Sequence, residues 1–149
     1  MSARTSTAHS SNRLGVALLI AALVCWIGFH LLPIDDYMRG WELWKRIWEI
    51  TTRGYRPGWQ NLIAISAFLA IAILVTASPF VTLPLRTSKP CRWLAIVASG
   101  AALLGLGSLI VMDFPGGPAS ALLLAAMALN FVGLICLRSP RLESGPDAP

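Results

Sequence analysis

Charge is scarce in this sequence and unevenly placed. Only 13% of the 149 residues are Asp, Glu, Lys or Arg, against roughly a quarter in soluble globular domains. Four long stretches, 14–32, 62–83, 93–112 and 119–137, contain none of these four residue types. With 56% apolar residues, the chain has too little polar material to cover a water-soluble core. Proton- and ion-coupled transport needs a charged group at membrane depth, so the same lack argues against a coupled transporter. Cysteine is also sparse: Cys25, Cys91 and Cys136 lie far apart and form none of the short-spaced pairs that hold metals or carry redox chemistry. His30 is alone in the apolar stretches, and one histidine cannot ligate a membrane haem from both sides. No carboxylate lies in the first stretch, as drug–proton exchange would require, and no pair of membrane-facing aspartates carries the Asn and Gly surroundings of an intramembrane peptidase. The sequence therefore offers no catalytic, cofactor-binding or metal-binding residues.

What is present is apolar length. At 1.5 Å per residue the stretch 14–32 spans about 28 Å, close to the hydrocarbon thickness of a bilayer. It is longer than the apolar part of a signal peptide, and 33–36 offers no small-x-small cleavage site, so it reads as a retained span. The stretch 62–83 contains Pro79, which cannot donate to the Val75 carbonyl and predicts a kink. Spans 93–112 and 119–137 are joined by 113–118, whose Pro and Gly content predicts a tight turn and antiparallel neighbours. The polar flanks 1–13 and 138–149 bury nothing and are expected to be disordered tails. The membrane domain is thus 14–137.

The formal net charge of +5 does not form a nucleic-acid footprint, because the basic residues gather at the edges of the apolar stretches and in one loop. Arg4, Arg13, Arg86, Lys89, Arg92, Arg138 and Arg141 would lie on one side, and Arg39, Lys45, Arg46, Arg53 and Arg56 on the other. The short loop 86–92 is the most densely basic, which places it and both termini in the cytoplasm of a cell with this protein in its inner membrane.

The loop after the first span has unusual patterning. At 100° per residue, 36–53 reads as an amphipathic helix in which Tyr37, Trp41, Trp44 and Trp48 share a stripe flanked by Ile47. Arg39, Glu42, Arg46, Glu49 and Arg53 recur on the other side, with Glu42–Arg46 and Glu49–Arg53 spaced as i, i+4 pairs. Asp35 or Asp36 suits the start and Gly54 the end. Three indoles on one stripe fit the headgroup zone, where a helix would lie flat on the outer surface. The same decoration suits a docking ridge, with Leu43, Ile50, Arg46 and Arg53 as the residues to meet a partner.

Small residues recur at packing intervals on the last two spans: Ala98, Ala101, Gly105 and Ser108 on one, Ala126, Asn130 and Gly133 on the other. Asn130 needs a hydrogen-bond partner, with Ser99 and Ser108 as candidates. The expected fold is all-α, a four-helix transmembrane bundle with an interfacial amphipathic helix between spans 1 and 2. The expected function is that of a non-catalytic integral membrane interaction protein, an accessory subunit of a membrane complex or an immunity-type protein. Its partners would be the lipid bilayer and another membrane protein or further copies of itself. The alternative is a homo-oligomeric channel or facilitator lined by Asn130, Ser99 and Ser108. A third is a lipid-modifying enzyme using His30 with Asp35 or Asp36.

Overall fold

The computed structural model describes residues 3–34, 38–52, 58–113 and 117–137. These residues form six helices: α1 (Ala3–Leu31), α2 (Glu42–Thr52), α3 (Trp59–Ala77), α4 (Thr82–Thr87), α5 (Lys89–Asp113) and α6 (Pro118–Cys136). The only pairing of extended backbone among them is an isolated antiparallel bridge between Pro33 and Arg39. Three segments are long and apolar enough to cross a membrane, Asn12–Leu31, Lys89–Val111 and Pro118–Cys136, and Asn61–Ala77 is a shorter apolar helix. Only 28%, 28% and 39% of the three long segments is buried inside the protein. Most of their apolar side chains therefore face outward, where only lipid can meet them without cost. This is a membrane protein.

Several boundaries differ from expectation, each for a local reason. α1 begins at Ala3, so helical backbone runs through much of the segment expected to be a disordered tail. No Gly or Pro occurs between Ala3 and Leu14, and nothing there stops a helix that the apolar stretch has already nucleated. The kink expected at Pro79 is instead a break, with α3 ending at Ala77 and α4 starting at Thr82. Two prolines decide this. A continuous helix would lose the bonds that residues 79 and 84 should donate, whereas Pro84 within the first turn of a new helix loses none. Ser78 closes α3 by donating both its N–H (2.9 Å) and its Oγ (2.5 Å) to the Leu74 carbonyl. α5 starts at Lys89, ahead of 93, because Ser88 accepts the Cys91 N–H (3.5 Å) as an N-terminal cap. α6 starts on Pro118 at its first turn, where a missing N–H is harmless.

The helix neighbours are set by small residues on α6. Ala126, Asn130 and Gly133 are all buried, and α6 packs most closely on α1. A β-carbon at Gly133 would lie 2.9 Å from Leu19 Cδ2 and 3.2 Å from the Gly15 carbonyl oxygen. One at Gly15 would lie 3.1 Å from the Gly133 carbonyl oxygen. Two glycines facing each other let the backbones touch, which is how helices gain dispersion energy in lipid. α5 is also beside α6, with Phe131 lying over Gly100. The small stripe expected to face it does not. Ala101, Gly105 and Ser108 are exposed, Ala98 is half-buried, and a β-carbon at Gly105 would meet nothing within 4 Å. α5 turns Ala95, Ser99, Ala102 and Ile110 inward instead, because Gly100 must lie under the Phe131 ring and that contact sets the rotation.

The core has two parts. One joins Trp26 and Phe29 of α1, Phe68 and Val75 of α3, Ala102 and Ile110 of α5, and Leu123 and Met127 of α6. The other, toward the opposite end, joins Leu19, Leu85, Ala95, Leu134 and Leu137. There Arg92 Nη1 donates to the Leu137 carbonyl at 2.8 Å, placing a cation on the negative end of the α6 dipole.

Candidate functional site

The features most suggestive of function gather at the end of the bundle where α1 finishes and α2 begins. Leu31 is the last residue of α1, since Pro33 disfavours helical backbone at the residue before it. The chain then folds back on itself. Ile34 N–H donates to the Met38 carbonyl (2.8 Å), Gly40 N–H to the Leu32 carbonyl (3.2 Å) and Trp41 N–H to the His30 carbonyl (3.3 Å). Carbonyls left over at the C-terminus of α1 are thereby satisfied by the residues leading into α2. This requires a very close approach. Gly40 is buried, and a β-carbon on it would fall inside the contact radius of the Phe29 carbonyl oxygen and 2.9 Å from His30 Cα. Only glycine fits there. For the same reason the helix expected over 36–53 begins only at Glu42: Arg39 pairs with Pro33, and residues 40–41 form a turn. The Glu42 carboxylate accepts the Arg39 N–H at 2.8 Å, an N-terminal cap in place of the expected pairing with Arg46.

A second tie fastens α2. Trp44 Nε1 donates to His30 Nε2 at 2.7 Å, and His30 Nδ1 lies 2.8 Å from the Trp26 carbonyl oxygen. An indole nitrogen can only donate and a carbonyl can only accept, so Nδ1 carries the proton and Nε2 is the acceptor. The His30 and Trp44 ring planes lie within 17° of parallel, with centroids 6.2 Å apart. Trp44 also leans on Phe68 at 5.2 Å, and Phe68 on Trp26 at 5.5 Å. Five rings, those of Trp26, Phe29, His30, Trp44 and Phe68, thus link α1, α2 and α3. Both His30 nitrogens are thus engaged in fastening α2, and Asp35 and Asp36 lie outside the described residues.

The orientation of α2 corrects the reading of its faces. The tryptophan stripe is divided. Trp44 points into the bundle, while Trp41 is 50% and Trp48 69% exposed. Leu43 and Ile47 pack on the core together with Trp44, and Ile50 lines the space beneath the helix. Leu43 and Ile50 are therefore engaged within the molecule and not presented outward. Tyr37 and Arg53, with Gly54, fall outside the described residues. Lys45 and Arg46 are exposed.

Beneath α2 lies a cavity of about 500 Å³. α2 reaches the bundle through the long side chains of Leu43, Trp44 and Ile47, and the cavity lies beside them. The walls come from Phe29, Ile47, Phe68, Ile110 and Leu123, and the polar lining is Arg46, Asn61 and Ser120. Ser120 Oγ is already used, donating to the Gly117 carbonyl at 2.7 Å.

The polar groups deeper in the bundle do not join this site. Asn130 is 1% exposed, and its Nδ2 donates to Ser99 Oγ at 3.2 Å. Ser108, the other candidate partner, lies on the outside of α5 with its Oγ on the Gly105 carbonyl at 2.8 Å. Within one copy of the chain Ser108 therefore does not join the Asn130–Ser99 pair. Among the described residues no three His, Cys, Asp or Glu side chains converge on a point that would hold a metal ion.

Sequence patterning missed Gly40, His30 as an acceptor, and the cavity. One signal was available: a glycine set among Met38, Arg39, Trp41 and Trp44 has no turn partner nearby and points to a close backbone approach. Comparison with protein families, with characterised proteins and with solved structures finds no match.

Proposed function

We infer that this is a four-span protein of the cytoplasmic membrane, with both termini inside, that acts by binding another membrane protein and not by catalysis. In this reading α3 is the remaining span. Its 17-residue apolar part is about 25 Å long, slightly short of the hydrocarbon core, and α4 carries the chain on into the interface. Trp41, Trp48 and Trp59 are exposed near one end of the bundle and Trp93 near the other, the positions of two aromatic belts. α2 lies on the outer surface between the first two spans. An accessory subunit and an immunity-type protein are the two forms this role would take.

The observation that carries the reading is the fastening of α2 by His30–Trp44 and by the Gly40 junction. A helix held this firmly offers Trp41 and Trp48 in a fixed relation, and preordered aromatic anchors are what binding surfaces use. Capture of the tagged protein in mild detergent is expected to recover one stoichiometric membrane protein, and the Trp41→Ala, Trp48→Ala double variant to lose it without loss of its own abundance. Recovery unchanged by that variant would remove α2 from the role.

Orientation has its own test. In a Cys25→Ala, Cys136→Ala background, Thr52→Cys is expected to react with an impermeant maleimide in intact cells stripped of their outer layers. Cys91, exposed at the start of α5, is expected to react only after permeabilisation. Labelling of both from one side contradicts the four-span topology.

A further inference from the structure

The cavity under α2 has the chemistry of a binding site for an amphiphile. Its depth is apolar, and its two unengaged polar side chains, Arg46 and Asn61, are both exposed and so mark its mouth. Arg46 has no hydrogen-bond or ion-pair partner among the described residues, and the Glu42 carboxylate one turn before it accepts the Arg39 N–H. An unpaired guanidinium at the rim of an apolar cleft calls for a planar or tetrahedral oxyanion attached to a hydrocarbon chain. The volume of about 500 Å³ is within the usual range for ligand sites. With a methylene taking about the same ~30 Å³ as a water, it holds a chain on the order of fifteen carbons. Leu109, 40% exposed beside the cavity, extends the apolar wall out to the surface that faces lipid.

We propose that this cavity holds one acyl chain of an anionic glycerophospholipid from the surrounding leaflet, with the lipid phosphate on the Arg46 guanidinium. The bilayer is the source because Leu109, exposed at the edge of the cavity, opens its apolar wall to the outward face of α5, where membrane lipids are at high local concentration. A zwitterionic headgroup fits less well, since its ammonium would come close to the Arg46 guanidinium. The site rests on the surface placement of α2 inferred above and is independent of any protein partner. Failure of the maleimide labelling would remove that placement, while failure of the capture experiment leaves the lipid site standing.

Native mass spectrometry of the full chain, released from detergent and titrated with phosphatidylglycerol, chain-matched phosphatidylcholine or free oleate, tests it. One phosphatidylglycerol is expected to be retained, at least tenfold more tightly than phosphatidylcholine. Arg46→Gln is expected to abolish that preference while leaving chain-dependent retention of both lipids. Leu109→Trp and Ala64→Trp, which fill the cavity from its rim and its wall, are each expected to reduce retention at least tenfold with an unchanged melting midpoint. If Ala64→Trp does not fold, the rim variant decides alone. Equal retention of the two phospholipids by the unaltered protein, displacement of phosphatidylglycerol by equimolar oleate, or full retention by the Leu109→Trp protein would each overturn the proposal.

Discussion

Gly40→Val is expected to detach α2 from the bundle and to destabilise the protein by about 3 kcal/mol, the upper end of what overpacking costs. The added side chain meets backbone, not a movable side chain: the Phe29 carbonyl and His30 Cα. Relief requires the segment 38–41 to move away from α1, and the bonds from Gly40 N–H and Trp41 N–H to the Leu32 and His30 carbonyls are then lost. The carbonyls at the end of α1 would need water in their place, at a further cost of about 1 kcal/mol each. Thermal unfolding in detergent micelles, followed by circular dichroism, measures the first effect. Faster proteolysis between α1 and α2 reports the second. Gly58→Val is the control, because a β-carbon there meets nothing within 4 Å and its φ of −56° suits any residue. A midpoint for Gly40→Val equal to that of Gly58→Val would refute the close approach.

Trp44→Ala is expected to cost roughly 2–3 kcal/mol, somewhat below the 3–5 of fully buried aromatic truncations because Trp44 is half-buried. Trp48→Ala, on the same expected stripe but 69% exposed, is expected to change stability by less than about 0.5 kcal/mol. Trp44→Phe separates the two contributions. It keeps a ring against Phe68 and removes the donor to His30 Nε2, so the loss should be about 1 kcal/mol. In a double-mutant cycle with His30→Ala, the coupling between positions 30 and 44 should be of that size. Equal effects of Trp44→Ala and Trp48→Ala would mean that the whole stripe faces one way, as the helical wheel alone implies.

The contrast between those two tryptophans shows how far periodicity reaches. The apolar arc of α2 runs from Ile50 through Leu43 and Ile47 to Trp44, Trp48 and Trp41, about half of the helix circumference at 100° per residue. Sequence patterning identified the tryptophan stripe with Ile47 beside it and the charged side opposite, but set Leu43 and Ile50 apart from the stripe, near the charged border. It could not say which half of the arc meets protein, since both halves are apolar. That choice follows from the Gly40 contact and from the Trp44–His30 bond, made between residues on either side of a chain reversal. Pro79 shows a different limit. A lone proline predicts a kink, but Pro84 five positions later makes a new helix cost less than a bent one, and no single-residue rule weighs the pair.

Composition and local chemistry by themselves determined the helical class, the residence in lipid, and the buried stripe of Ala126, Asn130 and Gly133. Tertiary structure alone decided that α6 lies closest to α1, that α5 turns Ser99 inward and leaves Gly105 outside, that Leu43 and Ile50 are used within the molecule, and that a cavity remains beneath α2. The physical reason is the solvent. In water, hydropathy separates the inside of a helix from its outside, because one face is polar. In lipid both faces are apolar, so the pattern that reveals a span says nothing about its rotation, which is left to the shapes of side chains and the few hydrogen bonds between helices.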